Sequence, residues 1–171
     1  MQRRRRRVLP RRGRVTTAPA ASRAYVGIGA NLGDARAAVQ QAMDALAALP
    51  GTREAARSSL WRSAPVEASG PDFINAVVAL DTTLAPLELL AQMQRIESGA
   101  GRERPYRNAP RTLDLDLLLH GDARLDTPAL VLPHPRMFQR AFVLRPLAEI
   151  APEQVSASQL AAVAGQRIER L

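Results

Sequence analysis

Two aspartates, Asp114 and Asp116, stand two residues apart in an otherwise apolar run, RTLDLDLLLH at residues 111–120. On a β-strand, residues i and i+2 point to the same face, so both carboxylates would lie together and the alternating leucines would point away. Neighbouring anions repel each other. A divalent cation would relieve that repulsion, since Mg²⁺ is typically held by one or two carboxylates together with substrate phosphates. The spacing therefore predicts a strand with a metal-binding face.

An arginine-rich loop leads into this strand and contains Arg102, Arg104, Arg107 and Arg111. Guanidinium is a planar, permanently charged, bidentate partner for phosphate oxygens. Phosphoryl transfer needs mainly charge stabilisation and positioning from the protein, so arginines beside paired carboxylates predict a polyphosphate site. From these residues alone, ordinary ion pairs between solvated arginines and the aspartates are the more frequent explanation.

The positive charge of the chain is concentrated at its start. The net charge is +8, and nine of the 24 basic residues are arginines within residues 1–23, where no acidic residue occurs. Residues 24–171 therefore carry 15 basic and 16 acidic residues, a net charge of −1. We predict a disordered Arg-rich extension over residues 1–23 and one domain over residues 24–171. A nucleic-acid tether or a presequence are functional alternatives for the extension, and a neutral extension or an upstream start codon is favoured.

Composition excludes several kinds of site. The chain has no cysteine, which excludes disulfides, thiolate zinc sites and cysteine nucleophiles. All of its basic residues are arginine, so a P-loop lysine and a Schiff-base lysine are excluded as well. The glycines of GIGANLG at residues 27–33 miss the dinucleotide-binding spacing by one residue, and we reject such a site. No apolar stretch reaches the length of a membrane span, which predicts a soluble, cytoplasmic protein.

Periodicity predicts three strands and two helices before the aspartate strand. The first strand spans Ala24–Ile28, a β-rich stretch follows from Thr52 to Trp61, and FINAVVALDT at residues 73–82 is another strand. Asp34 would cap a helix, and Pro86 would begin a second one. The predicted buried stripes of these helices are Val39, Ala42, Met43, Leu46 and Leu49, and Leu89, Met93, Ile96 and Ala100.

A final amphipathic helix is predicted within residues 131–153, after the aspartate strand. His120, at the end of that strand, is given no role. The order β-α-β-β-α-β predicts an α+β protein with a ferredoxin-like antiparallel sheet, covered on one face by helices, in a single domain.

Five blocks of the chain, in order, resemble the 6-hydroxymethyl-7,8-dihydropterin pyrophosphokinase family: YVGIGANLGD, FINAVVAL, QRIE, GRERPYRNAPRTLDLDLLL and LPHPRMFQRAFVLRPLAEIAPE. The resemblance runs from about Tyr25 to Glu153 and leaves the Arg-rich start uncovered. It implies transfer of the β,γ-diphosphate of ATP to the hydroxymethyl oxygen of the pterin, with AMP as the second product, in folate biosynthesis. It also implies two Mg²⁺ ions.

The resemblance assigns roles at the phosphate end of the site. Asp114 and Asp116 match the metal ligands. Arg102 and Arg111 match arginines that act on the phosphates and are our candidate catalytic residues. The nucleotide-side matches are Gln94, Glu97, Arg104, His134 and Arg140.

At the pterin end, Phe73 and Asn75 lie two apart on a predicted strand, so a ring and an amide would face the same way. In the family these positions contact the pterin, and Phe142 supplies the opposing ring. Ser63 and Val66 match positions that line the same pocket.

Two other functions remain open. A metal-dependent phosphohydrolase would use the same carboxylates but leaves Phe73, Asn75 and Phe142 unexplained. A ferredoxin-like RNA-binding domain would need exposed aromatics in a basic motif, and the chain has six aromatics and no such motif. The expected partners are therefore ATP and the pterin, with no membrane and no specific nucleic acid, for a monomeric enzyme.

Overall fold

The computed structural model of the chain describes residues 18–65, 70–100 and 113–171. The strands are β1 (Ser22–Ala30), β2 (Thr52–Arg57), β3 (Trp61–Ser63), β4 (Phe73–Thr82), β5 (Asp114–His120), β6 (Leu125–Asp126), β7 (Val131–Leu132) and β8 (Ile168–Arg170). The α-helices are α1 (Ala35–Ala47), α2 (Pro86–Ala100), α3 (Ala141–Ile150) and α4 (Ala157–Ala162). Short 3₁₀ turns span Met137–Gln139 and Pro152–Gln154.

The main sheet is antiparallel and has β1 and β4 at its centre. Its strand order is β5-β1-β4-β3-β8, and β2 also pairs with β4. β6 and β7 form a separate two-stranded ribbon. The order of the main strands, with β1 between β4 and the aspartate strand β5, confirms the predicted ferredoxin-like α+β fold.

Helices pack on both faces of this sheet. On one face, α1 and α2 cover a core that includes Val26, Leu46 and Leu80. On the other face, α3 places Leu147 against Val77 and its neighbours. The prediction of helices on one face only was wrong because β1 and β4 are apolar without alternation, and a continuous apolar run is typical of a strand buried on both faces.

The predicted helix starts are confirmed. The Asp34 side chain accepts a hydrogen bond from the Ala37 N–H at 3.0 Å and caps α1. Pro86 is the first residue of α2. The predicted stripes are buried in part: Leu49 lies beyond the end of α1 and is half-buried, and Ala100, the last residue of α2, is exposed.

The domain begins slightly before its predicted boundary. Ser22 and Arg23, which were assigned to the extension, belong to β1. The Arg23 Nε donates to Asp81 Oδ1 of β4 at 2.6 Å, so its side chain is paired with the neighbouring strand. Residues 1–17 lie outside the described residues, and the predicted extension there stays a prediction.

The chain continues beyond the helix that was predicted to be final. After α3 come α4 and β8, and β8 pairs with β3 at the edge of the sheet. His120 is buried, and its Nε2 donates to the Leu84 carbonyl at 2.9 Å, which ties β5 to the segment before α2. No helix among the described residues is long and apolar enough to cross a membrane.

The packing on both faces can be tested at Leu147, which is fully buried where α3 lies on the sheet. Leu147→Ala should lower the free energy of unfolding by about 2–5 kcal/mol, because the removed side chain leaves a cavity in the core between α3 and the sheet. Leu87→Ala is the control, since Leu87 is 52% exposed and its truncation should cost less than about 0.5 kcal/mol. Both are measured by urea unfolding. Equal stability of the two variants would contradict a packed second face.

Candidate active site

The aspartate strand has the predicted alternation. Asp114 and Asp116 are half-buried on β5, whereas Leu113, Leu115 and Leu117 are buried in the core beneath α1 and α2. β5 is at the end of the main sheet and pairs with β1. Both carboxylates therefore point to the face that α3 covers only in part.

A floor of glycine lies beside the carboxylates. Across the β1–β5 pairing, Gly27 is opposite Asp116 and Gly29 is opposite Asp114. Across the β1–β4 pairing, Gly29 is opposite Asn75. Residues paired in register share a face of the sheet, so these glycines lie between the carboxylates and the amide. Because they carry no side chain, the sheet is open there, beneath a cavity of about 540 Å³.

The backbone at Gly29 lies close to the Asn75 side chain. A Cβ atom at this position would lie 3.3 Å from Asn75 Oδ1. Sequence reasoning considered these glycines only as a failed dinucleotide motif. The signal that could have found them is their i, i+2 spacing on a strand, which removes two consecutive side chains from one face.

The opposite side of the cavity combines aromatic rings with a fixed amide. Phe73 and Asn75 of β4, Ser63 of β3 and Phe142 of α3 all line it. Asn75 is only 3% exposed, and its Nδ2 donates to Ser63 Oγ at 2.8 Å. This hydrogen bond fixes the orientation of the amide, with Oδ1 over the glycine floor.

A histidine and an arginine adjoin Asp116. The His134 Nε2 lies 3.9 Å from Asp116 Oδ1, and the Arg140 Nη1 lies 3.7 Å from Asp116 Oδ2. The Arg140 guanidinium carbon also lies 5.4 Å from the centre of the Phe142 ring. Arg140 therefore joins the carboxylate end of the cavity to its aromatic end.

The backbone fixes the tautomer of His134. The backbone N–H of His134 donates to the Leu118 carbonyl of β5 at 2.9 Å. The ring Nδ1 of His134 accepts a hydrogen bond from the backbone N–H of Arg136 at 3.2 Å, so Nδ1 carries no proton. Burial lowers the pKa of His134, and nearby arginines lower it further while Asp116 opposes them. The imidazole is thus neutral at pH 7, and its proton lies on Nε2, the nitrogen that faces Asp116.

Glu97 of α2 reaches the outer edge of β5. Its Oε1 accepts a hydrogen bond from the Leu115 N–H at 2.7 Å, between the two aspartates. This bond satisfies a backbone donor that an edge strand would otherwise leave to solvent. Gln94, one turn earlier, is exposed and does not line the cavity that the described residues form.

The structure brings together most of the predicted site residues that it describes. Those that line the cavity are Ser63, Phe73, Asn75, Asp114, Asp116, Arg140 and Phe142. His134 joins them through Asp116, and Glu97 through the backbone of β5. Val66, Arg102, Arg104 and Arg111 lie outside the described residues. The lining residues that sequence reasoning missed include Gly27, Gly29, Arg136, Gln139 and Gln166.

The donor set suits a hard divalent cation. Carboxylate oxygens are the ligands that Mg²⁺ prefers, and one or two of them suffice when substrate phosphates supply the rest. Across residues 18–65, 70–100 and 113–171, no group of three or more His, Asp or Glu side chains could hold a metal ion by itself. Asp114 and Asp116 therefore fit an ion that arrives with its substrate.

Comparison with known proteins identifies the family. Residues 25–152 match the family described as 7,8-dihydro-6-hydroxymethylpterin-pyrophosphokinase (HPPK). The chain belongs to the HPPK family. The matched segment contains the strand residues that line the cavity and α3, and it ends before α4 and β8.

Curated relatives carry the matching name. A 2-amino-4-hydroxy-6-hydroxymethyldihydropteridine pyrophosphokinase of Pseudomonas aeruginosa is 52% identical over 132 residues, which are 77% of this chain and 82% of the relative. The enzyme of the same name from Bacillus subtilis is 40% identical over 131 residues, 76% of this chain and 78% of the relative. Both alignments cover most of each protein.

Solved structures show the same fold. A crystal structure of an HPPK-DHPS in complex with substrates has a TM-score of 0.59 at 12% identity over 81% of this chain. A wild-type Plasmodium falciparum HPPK-DHPS with SDX-DHP has a TM-score of 0.62 at 13% identity over 78% of this chain. This chain spans 41% of the length of each of those proteins, and the likeness establishes the fold alone.

The bond from Glu97 to β5 yields a prediction. Glu97→Ala should lower the free energy of unfolding by about 1–2 kcal/mol, because the Leu115 N–H loses its acceptor. Glu97→Gln keeps an acceptor oxygen and should retain most of that stability. Gln94→Ala, on the exposed side of the same helix, is the control, and urea unfolding measures all three. A Glu97→Gln variant as unstable as Glu97→Ala would show that the carboxylate charge matters more than this hydrogen bond.

Proposed function

We propose that this cavity is where the chain transfers diphosphate from ATP to the hydroxymethyl group of 6-hydroxymethyl-7,8-dihydropterin, giving AMP and the pterin diphosphate. Pyrophosphokinase activity in folate biosynthesis follows from the family and from the names of the relatives. One observation carries its assignment to this cavity. The carboxylates of β5 and Asn75 of β4, which Ser63 holds, border the same glycine floor, and β5 and β4 are only two strand spacings apart, roughly 10 Å.

The aromatic end of the cavity suits the pterin. Phe73 and Phe142 offer apolar ring surface to a flat heterocycle, and Asn75 offers an amide to its polar edge. Because Ser63 holds the Asn75 nitrogen, the carbonyl oxygen is presented as an acceptor without further ordering. Apolar ring surface beside a precisely placed polar group is typical of small-molecule sites. Val66 is proposed for the same wall.

The carboxylate end suits the phosphates of ATP. Asp114 and Asp116 would hold two Mg²⁺ ions, which, when bound, neutralise phosphate charge and favour in-line displacement. The Arg140 guanidinium and the neutral His134 Nε2–H are donors beside Asp116 that can bind phosphate oxygens. Arg102 and Arg111 remain our candidate catalytic residues, with Arg104 in the same segment.

Arg140 occupies the place where the two substrates must meet. Its contact with Phe142 lies toward the pterin end, and its contact with Asp116 lies toward the phosphate end. Diphosphoryl transfer requires the hydroxymethyl oxygen and the attacked phosphorus to be held in line, which is largely a positioning task. A cation at this border can bind the transferring group without leaving the pterin wall.

Glu97 and Gln94 stay proposed residues of the nucleotide side. The hydrogen bond from the Leu115 N–H to Glu97 supports an indirect role, in which Glu97 holds the strand that carries the carboxylates. We also retain the proposals that the enzyme is cytoplasmic and monomeric and binds no specific nucleic acid.

The activity is tested by AMP formation. Purified protein with ATP and Mg²⁺ should produce AMP only when 6-hydroxymethyl-7,8-dihydropterin is present, and AMP should match the pterin diphosphate mole for mole. Both products are measured by chromatography. Release of phosphate or ADP without the pterin would favour the phosphohydrolase. No turnover together with salt-sensitive RNA binding would favour the RNA-binding alternative.

The metal role is tested at the carboxylates. Asp114→Asn and Asp116→Asn should each lower turnover about 100-fold or more, because the phosphate charge is then poorly neutralised. Neither should reduce thermal stability, since each removes one of two neighbouring anions. Asp122→Asn is the control: Asp122 lies in the exposed turn after β5. Wild-type turnover in both strand variants would exclude the metal role.

A further inference from the structure

A side chain that is distant in sequence holds the backbone between the 3₁₀ turn at Met137–Gln139 and the start of α3. Arg140 is extended at this point, with φ −124° and ψ 112°, and its side chain does not cap the helix. The first N–H groups of a helix have no partner within it. Here Gln166 Oε1 accepts from the Ala141 N–H at 2.8 Å, and Gln166 Nε2 donates to the Gln139 carbonyl at 2.8 Å.

One amide therefore holds the backbone on both sides of Arg140. Its oxygen replaces the missing helix cap, and its nitrogen fixes the end of the 3₁₀ turn. Arg140 is the residue that contacts Asp116 and the Phe142 ring. Gln166 also lines the cavity itself.

Gln166 is itself held in place by packing and pairing. The backbone N–H of Gln166 donates to the Val163 carbonyl. The Val163 side chain is buried against Ala141 and Leu144 of α3. Two residues later, Ile168 pairs with Ser63 in the β8–β3 register. The amide is thus a fixed point between two walls of the cavity rather than a mobile surface group.

The geometry points to Gln166 as a positioning residue of the active site, which sets the direction of the Arg140 guanidinium. This role rests on the proposed function, in which Arg140 binds the transferring phosphates. Gln166 lies beyond residues 25–152, the segment that matches the family, so its role is not implied by that match. Sequence reasoning missed it because its partners are 25 and 27 residues away.

Substitution of Gln166 in the full-length protein tests the role. Gln166→Leu keeps the size of the side chain and removes both hydrogen bonds, and it should lower kcat/KM for ATP about five- to tenfold. Gln166→Glu keeps an acceptor for Ala141 but loses the donor to Gln139, so its kcat/KM should be intermediate. Gln159→Leu is the matched control, because Gln159 is a half-buried glutamine of the same segment that caps α4 through Ser156. Its kcat/KM should equal that of the wild type.

A double-mutant cycle separates positioning from general loosening. If Gln166 acts through Arg140, Gln166→Leu should have no further effect on kcat/KM in an Arg140→Ala background. An equal fall in both backgrounds would overturn the inference, as would a Gln166→Leu variant that matches Gln159→Leu. If Gln166→Leu does not fold, the same cycle with Gln166→Glu decides. An inactive wild type would instead refute the proposed function.

Discussion

The site depends on one constraint at the centre of the sheet: β1 must pair along both edges and yet leave part of one face bare. Nine register pairs join it to β4, and β5 pairs with its other edge. On the face covered by α3, Tyr25 fills the core, whereas Gly27 and Gly29 leave space. The backbone pairing preserves the strand where side chains are missing, so the cavity does not interrupt the sheet.

α3 completes the site because it covers that face only in part. Its later residues, such as Val143 and Leu147, pack on the sheet, and its first turn presents Phe142 over the open floor. The start of this helix is thus a wall of the cavity and also an end without a cap of its own. The segment after α3 supplies this missing cap, because Gln166 accepts a hydrogen bond from the first N–H of α3. The same segment is attached to the sheet where β8 pairs with β3. The last residues of the chain are therefore part of the architecture of the site.

The sequence predicts well the features that depend on local pattern. The alternation around Asp114 and Asp116 predicts their shared face, the residues 73–82 form a strand with the predicted bounds, and Asp34 caps its helix. Features that depend on distant partners are harder to predict. The second helix layer follows from residues buried on both faces of β1 and β4, and a continuous apolar run does not state what covers it.

The short elements at the end of the chain illustrate the same limit. β8 has three residues and exists because β3 offers a free edge, which no periodicity within Ile168–Arg170 could indicate. The resemblance to a family named seven of the residues that line the cavity and missed others, such as Gly29 and Gln166. It could not indicate that Glu97 would bind the backbone of β5, because that contact depends on how α2 lies against the edge strand.

The carboxylate pair on β5 is unfavourable for the stability of the strand by itself. Two anions on one strand face repel, and a sheet selected only for stability would place an apolar or oppositely charged residue at one position. Half-burial keeps part of each carboxylate in water, and Arg140 and His134 lie beside Asp116. Among the described residues, Arg140 brings positive charge to 3.7 Å from Asp116, and the neutral His134 adds an N–H donor but no charge. In the proposed function, Mg²⁺ that enters with ATP would bring further positive charge to this pair. Local conflicts of this kind are expected at functional sites.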